Sequence, residues 1–165
     1  MAVPFLLDSN FFIEAHRVSY PFDVVPSFWL KVQELAEKGI IISVDKVHKE
    51  IAQNKDELST WCEENLPMDF FKDTSVVINQ YIQVSNWANA KSNHYNTTAL
   101  NEFLDADEAD AWLVAYSILD GNQIVTHETS DLKTQKRVKL PDAAKPFGIN
   151  CVKTIEMFRL LGERF

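Results

Sequence analysis

Short, largely apolar runs set between helical patterns constrain this chain more than any other feature. Val3-Pro4-Phe5-Leu6-Leu7, Ile40-Ile41-Ile42-Ser43, Asn122-Gln123-Ile124-Val125-Thr126 and Ile149-Asn150-Cys151-Val152 are too short for helices and do not alternate strictly between apolar and polar. A strand that is apolar on both faces needs cover on both faces, which is the condition of a parallel sheet packed between helices. Gly39 separates the helical pattern Trp29–Lys38 from the second run, and Gly121 separates the helix read over Ala106–Leu119 from the third. Glycine ends helices in the left-handed conformation, so both positions read as helix-to-strand turns. Gly148 precedes the fourth run after an irregular segment bracketed by Pro141 and Pro146. Strands alternating with helices imply right-handed crossovers. The expected fold is therefore α/β, a three-layer sandwich with a central, mostly parallel sheet of four to five strands flanked by helices.

A chain of 165 residues fits one domain, 1–165. Its middle, from about 55 to 104, reads as a mainly helical insertion. Lys55–Asn65 is charged and amphipathic, Thr74–Lys91 places Val77, Tyr81, Val84 and Ala88 on one face, and Thr98–Leu104 is a short further helix. The last helix, Lys153–Arg164, repeats Ile155, Phe158 and Leu161 at intervals of three, which predicts a single buried stripe.

With 46% hydrophobic residues the chain has the material for a sizeable core. No apolar run approaches the ~20 residues that span a bilayer, so no membrane role is expected. The N-terminal run is too short for a signal peptide and has no basic residue before it. Cys62 and Cys151 stand far apart with no paired spacing, and read as reduced core thiols of a cytoplasmic protein. The net charge of −8 speaks against a generally basic nucleic-acid binder. The charge is uneven, however. Glu102, Asp105, Asp107, Glu108 and Asp110 form an acidic block, and Lys133, Lys136, Arg137, Lys139 and Lys145 form a basic stretch. Such a stretch is ordinarily a solvated loop, but it also suits a phosphate backbone.

The acids fall at places that a parallel sheet would bring together. Asp8 follows the first strand and precedes the apolar helix around Phe11-Phe12-Ile13. Asp, Ser and Asn all cap helices, and Ser9 or Asn10 can cap here as well, which leaves Asp8 free to face a cation. Asp107 and Asp110, three apart, would share a helix face, with Asp105 as the cap. Acids are favoured in a first helical turn in any case. Asp110 nevertheless borders the buried run Ala111-Trp112-Leu113-Val114-Ala115, a costly place for an unpartnered carboxylate. Glu50 lies on the helix after the second strand, where a lone glutamate is usually solvated surface. Glu128 follows the third run, with Asp131 competing for its role, and the Thr126 hydroxyl is placed to orient a carboxylate or a metal-bound water. Clustered carboxylates repel one another unless a cation sits among them, so the pattern predicts a divalent metal site.

Other chemistries lack their signatures. His16, His48, His94 and His127 form no HExxH or other paired ligand spacing, and no GxxxxGK, GxGxxG or GxSxG segment occurs.

The order of these motifs resembles the PIN domain, the fold of many metal-dependent ribonucleases, including toxins of bacterial toxin–antitoxin pairs. The pieces that match are Phe5-Leu6-Leu7-Asp8-Ser9-Asn10, Glu50 after the second strand, Asp110-Ala111-Trp112-Leu113-Val114-Ala115-Tyr116-Ser117, and Ile124-Val125-Thr126-His127-Glu128. The resemblance spans almost the whole chain and lies more in order and spacing than in any one piece. It implies Asp8, Glu50, Asp110 and either Glu128 or Asp131 as the four acids, with Asp107 an extra or alternate ligand. It implies Mg²⁺ or Mn²⁺ as cofactor and RNA as substrate, with Asn10, Thr126, Lys133, Lys136 and Arg137 on the substrate side. A cognate antitoxin protein and a homodimer belong to the same expectation. Glu128 departs from the pattern, since many relatives carry aspartate or asparagine there. The helical middle is also longer than in compact toxins. Two alternatives remain: a PIN-like protein-binding module that cleaves nothing, and a phosphohydrolase of the haloacid dehalogenase type. The latter needs a second aspartate where this chain has Asn10.

Overall fold

The computed structural model describes residues 2–165. Among them, β1 (Phe5–Leu7), β2 (Ile41–Val44), β3 (Phe71–Lys72), β4 (Ile124–Val125) and β5 (Cys151–Val152) form one sheet in the order β3-β2-β1-β4-β5. Every pairing is parallel. The fold is thus α/β with an all-parallel central sheet flanked by helices. All of β1 and β2 is buried, as their unbroken apolar character requires.

Connectivity sets the position of the site. The chain moves outward from β1 to β2 to β3, then returns to lay β4 on the other flank of β1, with β5 beyond it. The order reverses between β1 and β4, and in open parallel sheets ligands bind at the carboxyl ends of the strands that flank such a switch point. Register places Leu7 beside Val125 at that end. The next residues along the two strands are Asp8 and Thr126.

The core is strongly aromatic. Phe11 and Phe12, on α1 (Ser9–Glu14), are fully buried and meet edge to face at 5.1 Å. Phe12 then reaches Phe70 at 6.1 Å, and Phe11 reaches Phe28 of α2 (Pro26–Glu37) at 5.8 Å. Each such ring contributes about 1.5–3 kcal/mol by leaving water. α7 (Asp110–Asp120) packs on α5 (Ile78–Asn89), α8 (Leu140–Ala144) and β2. It ends at Gly121, whose φ of +79° lets its N–H bond the Ser117 carbonyl at 2.8 Å.

Several elements differ from the sequence expectation. The stretch 55–104 holds α4 (Glu57–Asn65), α5 and α6 (Thr97–Phe103), and also β3, which adds an edge to the sheet. The helix expected over Thr74–Lys91 opens as a 3₁₀ turn, Thr74–Val77, before α5 begins. In the terminal helix α9 (Thr154–Leu161) the buried side chains are Thr154, Met157 and Phe158, while Ile155 is exposed. A strict spacing of three rotates about 60° per step around a helix, so the buried face follows the i, i+3, i+4 pattern instead. No helix among the described residues is long and apolar enough to cross a membrane.

Candidate functional site

Asp8 occupies the N-cap position of α1 with extended backbone angles, yet its side chain caps no helix amide. The carboxylate is spent elsewhere. Oδ2 accepts the Thr126 hydroxyl at 2.8 Å and the Asn10 side-chain amide at 3.4 Å, while Oδ1 accepts the Ser9 hydroxyl at 3.3 Å. Thr126 is aligned for this by the β1–β4 register, and its oxygen also receives the Glu128 N–H at 3.1 Å. The end of β1 is braced from the other flank, where the Ser43 hydroxyl donates to the Leu7 carbonyl at 2.6 Å. Only 2% of Asp8 is exposed. Burial pushes its carboxyl up to about 6, the Thr126 bond opposes that rise, and the charges of Glu128 and Glu50 add to it.

Asp110 begins α7 and its side chain is 24% exposed. Desolvation holds its carboxyl well above the ordinary range, with the negative charges of Asp8 and Glu128 next in importance and Arg137 opposing them. Asp8, Glu50, Glu108, Asp110 and Arg137 line one open pocket of about 330 Å³. A neighbouring cavity of about 250 Å³, toward α6, shares Glu108, Asp110 and Arg137 with it.

Glu128 is not among the residues that line this pocket, and both its oxygens are engaged. Oε1 accepts Nη2 and Nε of Arg137 at 2.7 and 3.1 Å, and Oε2 accepts the Leu140 N–H at 2.8 Å. The same guanidinium lies 3.9 Å from Asp110. Arg137 is therefore a cation held among the acids by the protein itself. Glu50, on α3 (Asp45–Gln53), reaches across to the Ala109 N–H at 3.4 Å, serving a buried amide that has no intrahelical partner at the start of α7.

Asp107 and Asp131 do not join this group. α7 begins at Asp110, so Asp107 is not on its first turn. Asp105 takes the Asp107 N–H at 2.9 Å, closing a local turn in place of a helix cap, and Asp107 pairs with Lys49 at 2.7 Å with its side chain 69% exposed. Asp131 is exposed, accepts the Lys133 N–H at 3.2 Å and gives its own N–H to Asp142. The Asp107 carboxylate is thus spent on a surface ion pair with Lys49, and that of Asp131 on a short-range turn bond. Lys133 and Lys136 are exposed on the same loop and make no ion pair among the described residues. Glu108, which lines both cavities and whose carboxyl burial raises, was one acid among five in sequence and carried no distinguishing signal there.

The arrangement suits a hard cation. Among the described residues no three His, Cys, Asp or Glu side chains form a ready-made metal cage. The donor set is nonetheless all oxygen, and Asp8 with Asp110 supplies a facing carboxylate pair whose mutual repulsion a cation would relieve. Mg²⁺ is commonly held by one or two carboxylates, with water and substrate phosphate filling the remaining positions. Thiol chemistry is not supported at this site. Burial pushes Cys62 and Cys151 up to about 12, so both stay protonated near neutrality. His127 is engaged with Thr154 at 2.9 Å and with Glu14 at 3.6 Å.

The model of a family described as "Domain of unknown function (DUF4411)" matches residues 5–165, nearly the whole chain. No curated protein and no solved structure matches it.

Proposed function

The chain belongs to this DUF4411 family, and we propose that it is a metal-dependent endoribonuclease of the PIN-like kind, hydrolysing RNA phosphodiester bonds. The observation that carries this reading is the convergence of Asp8, Glu50 and Asp110 in one pocket at the sheet's switch point, with the charge of Glu128 near enough to act on Asp8 and Asp110. Asp8 and Asp110 would hold Mg²⁺ or Mn²⁺. Such an ion, when bound, lowers the pKa of an attacking water and offsets charge developing on the phosphate oxygens.

The chain's own groups supply the remainder. Thr126, Ser9 and Asn10 fix the Asp8 carboxylate in one orientation through three hydrogen bonds. Glu128 anchors Arg137, whose guanidinium faces the pocket where a substrate phosphate would replace carboxylates as its partner. Lys133 and Lys136, free on the adjoining loop, would attract the backbone of the strand. The toxin role in a prokaryotic toxin–antitoxin pair, with a cognate antitoxin and a homodimer in the cytoplasm, completes the proposal. It rests on the family resemblance of the motifs alone.

The test is cleavage of structured RNA by the parent and by Asp8→Asn in Mg²⁺ or Mn²⁺. The parent should cleave and the variant should lose at least about 100-fold. Equal rates would reject the assignment.

The hold of Arg137 on Glu128 and Asp110 favours a second reading, a non-cleaving module that binds a partner protein. On that reading the parent cleaves nothing, and metal leaves its melting temperature unchanged.

A further inference from the structure

Apart from the acid pocket and the cavity adjoining it, which make one site, a second cavity of about 460 Å³ is lined by Trp87, Lys91, Asn93, Asp142 and Lys145 among others. Its lining holds two lysines and one buried aspartate, where the acid pocket holds four acids and one arginine. Two exposed lysines and a half-buried indole come together here on a chain whose net charge is −8. Two links tie it to the acids. Phe103 lines the cavity beside Asp110, and its ring meets that of Trp87 edge-on at 6.2 Å. The loop that carries Arg137 to the acids also carries Leu132 to the second cavity. Five residues of chain extend at most ~18 Å.

That loop is tethered along its length. A His94 ring nitrogen meets the Thr134 carbonyl at 3.0 Å, the Asn96 N–H donates to the Gln135 carbonyl at 2.9 Å, and Asp142 accepts the Asp131 N–H at 3.0 Å. The two cavities are thus held at a fixed, short separation.

We infer that this second cavity is a nucleotide subsite, receiving an unstacked base of single-stranded RNA against Trp87 while Lys91 and Lys145 hold the adjoining phosphates. Every base has a face that stacks on an aromatic ring, and phosphates bound by lysine release their counter-ions. Asn93 places an exposed side-chain amide in the same space, where a base edge presents its own donors and acceptors. The inference rests on the nuclease reading for the identity of the strand and deepens it by naming where a flanking nucleotide sits.

The test is equilibrium binding of a labelled single-stranded RNA oligomer to the Asp110→Asn protein without divalent metal, followed by fluorescence anisotropy across a salt series. Adding Lys91→Ala with Lys145→Ala should weaken binding at least tenfold. It should also flatten the slope of log affinity against log salt by about 1.4, two phosphates at ~0.7 each. Lys38→Ala with Arg164→Ala, which removes the same charge from exposed positions outside both cavities, should change neither by more than twofold. Trp87→Leu should weaken binding with the slope kept. Trp87 also packs on Phe103 and Phe147, so the exposed lysine pair serves as the fold-neutral probe.

Affinity and slope unchanged by the lysine pair overturn the subsite, as does an equal loss in the control pair. Failure to bind RNA while a partner protein occupies the cavity overturns it too. If the parent cleaves RNA but the lysine pair changes nothing, the subsite falls and the nuclease stands. If the parent never cleaves but binding depends on the lysines, the nuclease falls and the subsite stands.

Discussion

The Thr126 hydroxyl donates to Asp8 Oδ2 at 2.8 Å across the β1–β4 seam, the point where the strand order of the sheet reverses. A charged acceptor buried at a sheet end is thereby given its strongest partner by the neighbouring strand.

Thr126→Val removes that donor and also the acceptor of the Glu128 N–H. The Asp8 carboxyl should rise above its value of about 6. Stability at pH 8 should fall by about 2 kcal/mol in urea unfolding, the usual cost of stripping a hydrogen bond from a charged group. The loss should shrink at pH 4.5, where Asp8 is protonated. A uniform loss at both pH values would show that the bond does not serve the ionised form.

Asp8→Asn should stabilise the metal-free protein at pH 8. A carboxyl whose folded pKa exceeds its unfolded one binds its proton more tightly when folded, so it favours folding in acid and opposes it at neutral pH. For Asp8 the window runs from about 6, the folded value, down to roughly 4, the unfolded one. Above it the penalty is about 3 kcal/mol, partly offset in the variant by a weaker bond to Thr126. Asp110 shifts in the same direction. The parent's unfolding free energy should therefore rise as pH falls from 8 to 5, and the rise should be smaller in Asp8→Asn. A parent whose stability is flat over that range would contradict the buried acid pair.

Divalent metal should act in the opposite sense at pH 8. Mn²⁺ at about 100 times its dissociation constant should stabilise the parent by about 2.7 kcal/mol. Calorimetry should show the melting temperature climb with Mn²⁺ in the parent and not in Asp110→Asn. An equal climb in both would place the ion elsewhere.

Arg137→Ala should strengthen Mn²⁺ binding. Its guanidinium is the protein's own cation beside Asp110 and Glu128, and its side chain is 54% exposed, so solvent screening limits its competition to about 1 kcal/mol. Isothermal titration should show an affinity gain of about fivefold. Weaker metal binding in the variant would mean that Arg137 holds the acids in place and does not compete for them.

Glu50→Ala should destabilise α7 by about 1 kcal/mol through loss of the acceptor at the Ala109 N–H, whereas Glu50→Gln should not. Urea unfolding of the two variants decides this. Equal losses would attribute the effect to the charge of Glu50 and leave the bond without a role.

Much of the frame was legible from residue order. Phe5-Leu6-Leu7 and Ile41-Ile42 are strands because a run apolar on both faces has to lie inside a covered parallel sheet. Asp8 was legible as more than a cap, since two further capping residues follow it. Asp110 was legible because a carboxylate at the margin of a buried stripe needs a partner. β3 was not, because two residues give no period to read. In sequence Asp107 stood as an extra or alternate ligand beside Asp110, and Asp131 as the alternate to Glu128. Only the ion pair of Asp107 with Lys49 and the backbone turn closed by Asp131 set them apart.

Local patterning by itself determined the layer architecture and which acids stand at strand ends, because burial and backbone geometry repeat with fixed periods along a chain. Tertiary structure alone decided that Glu50 serves α7, that Arg137 closes on Glu128 and Asp110, and that Trp87 and Lys145 share a cavity. Each of those pairings joins residues far apart in order, and its energy depends on a distance that no stretch of sequence contains.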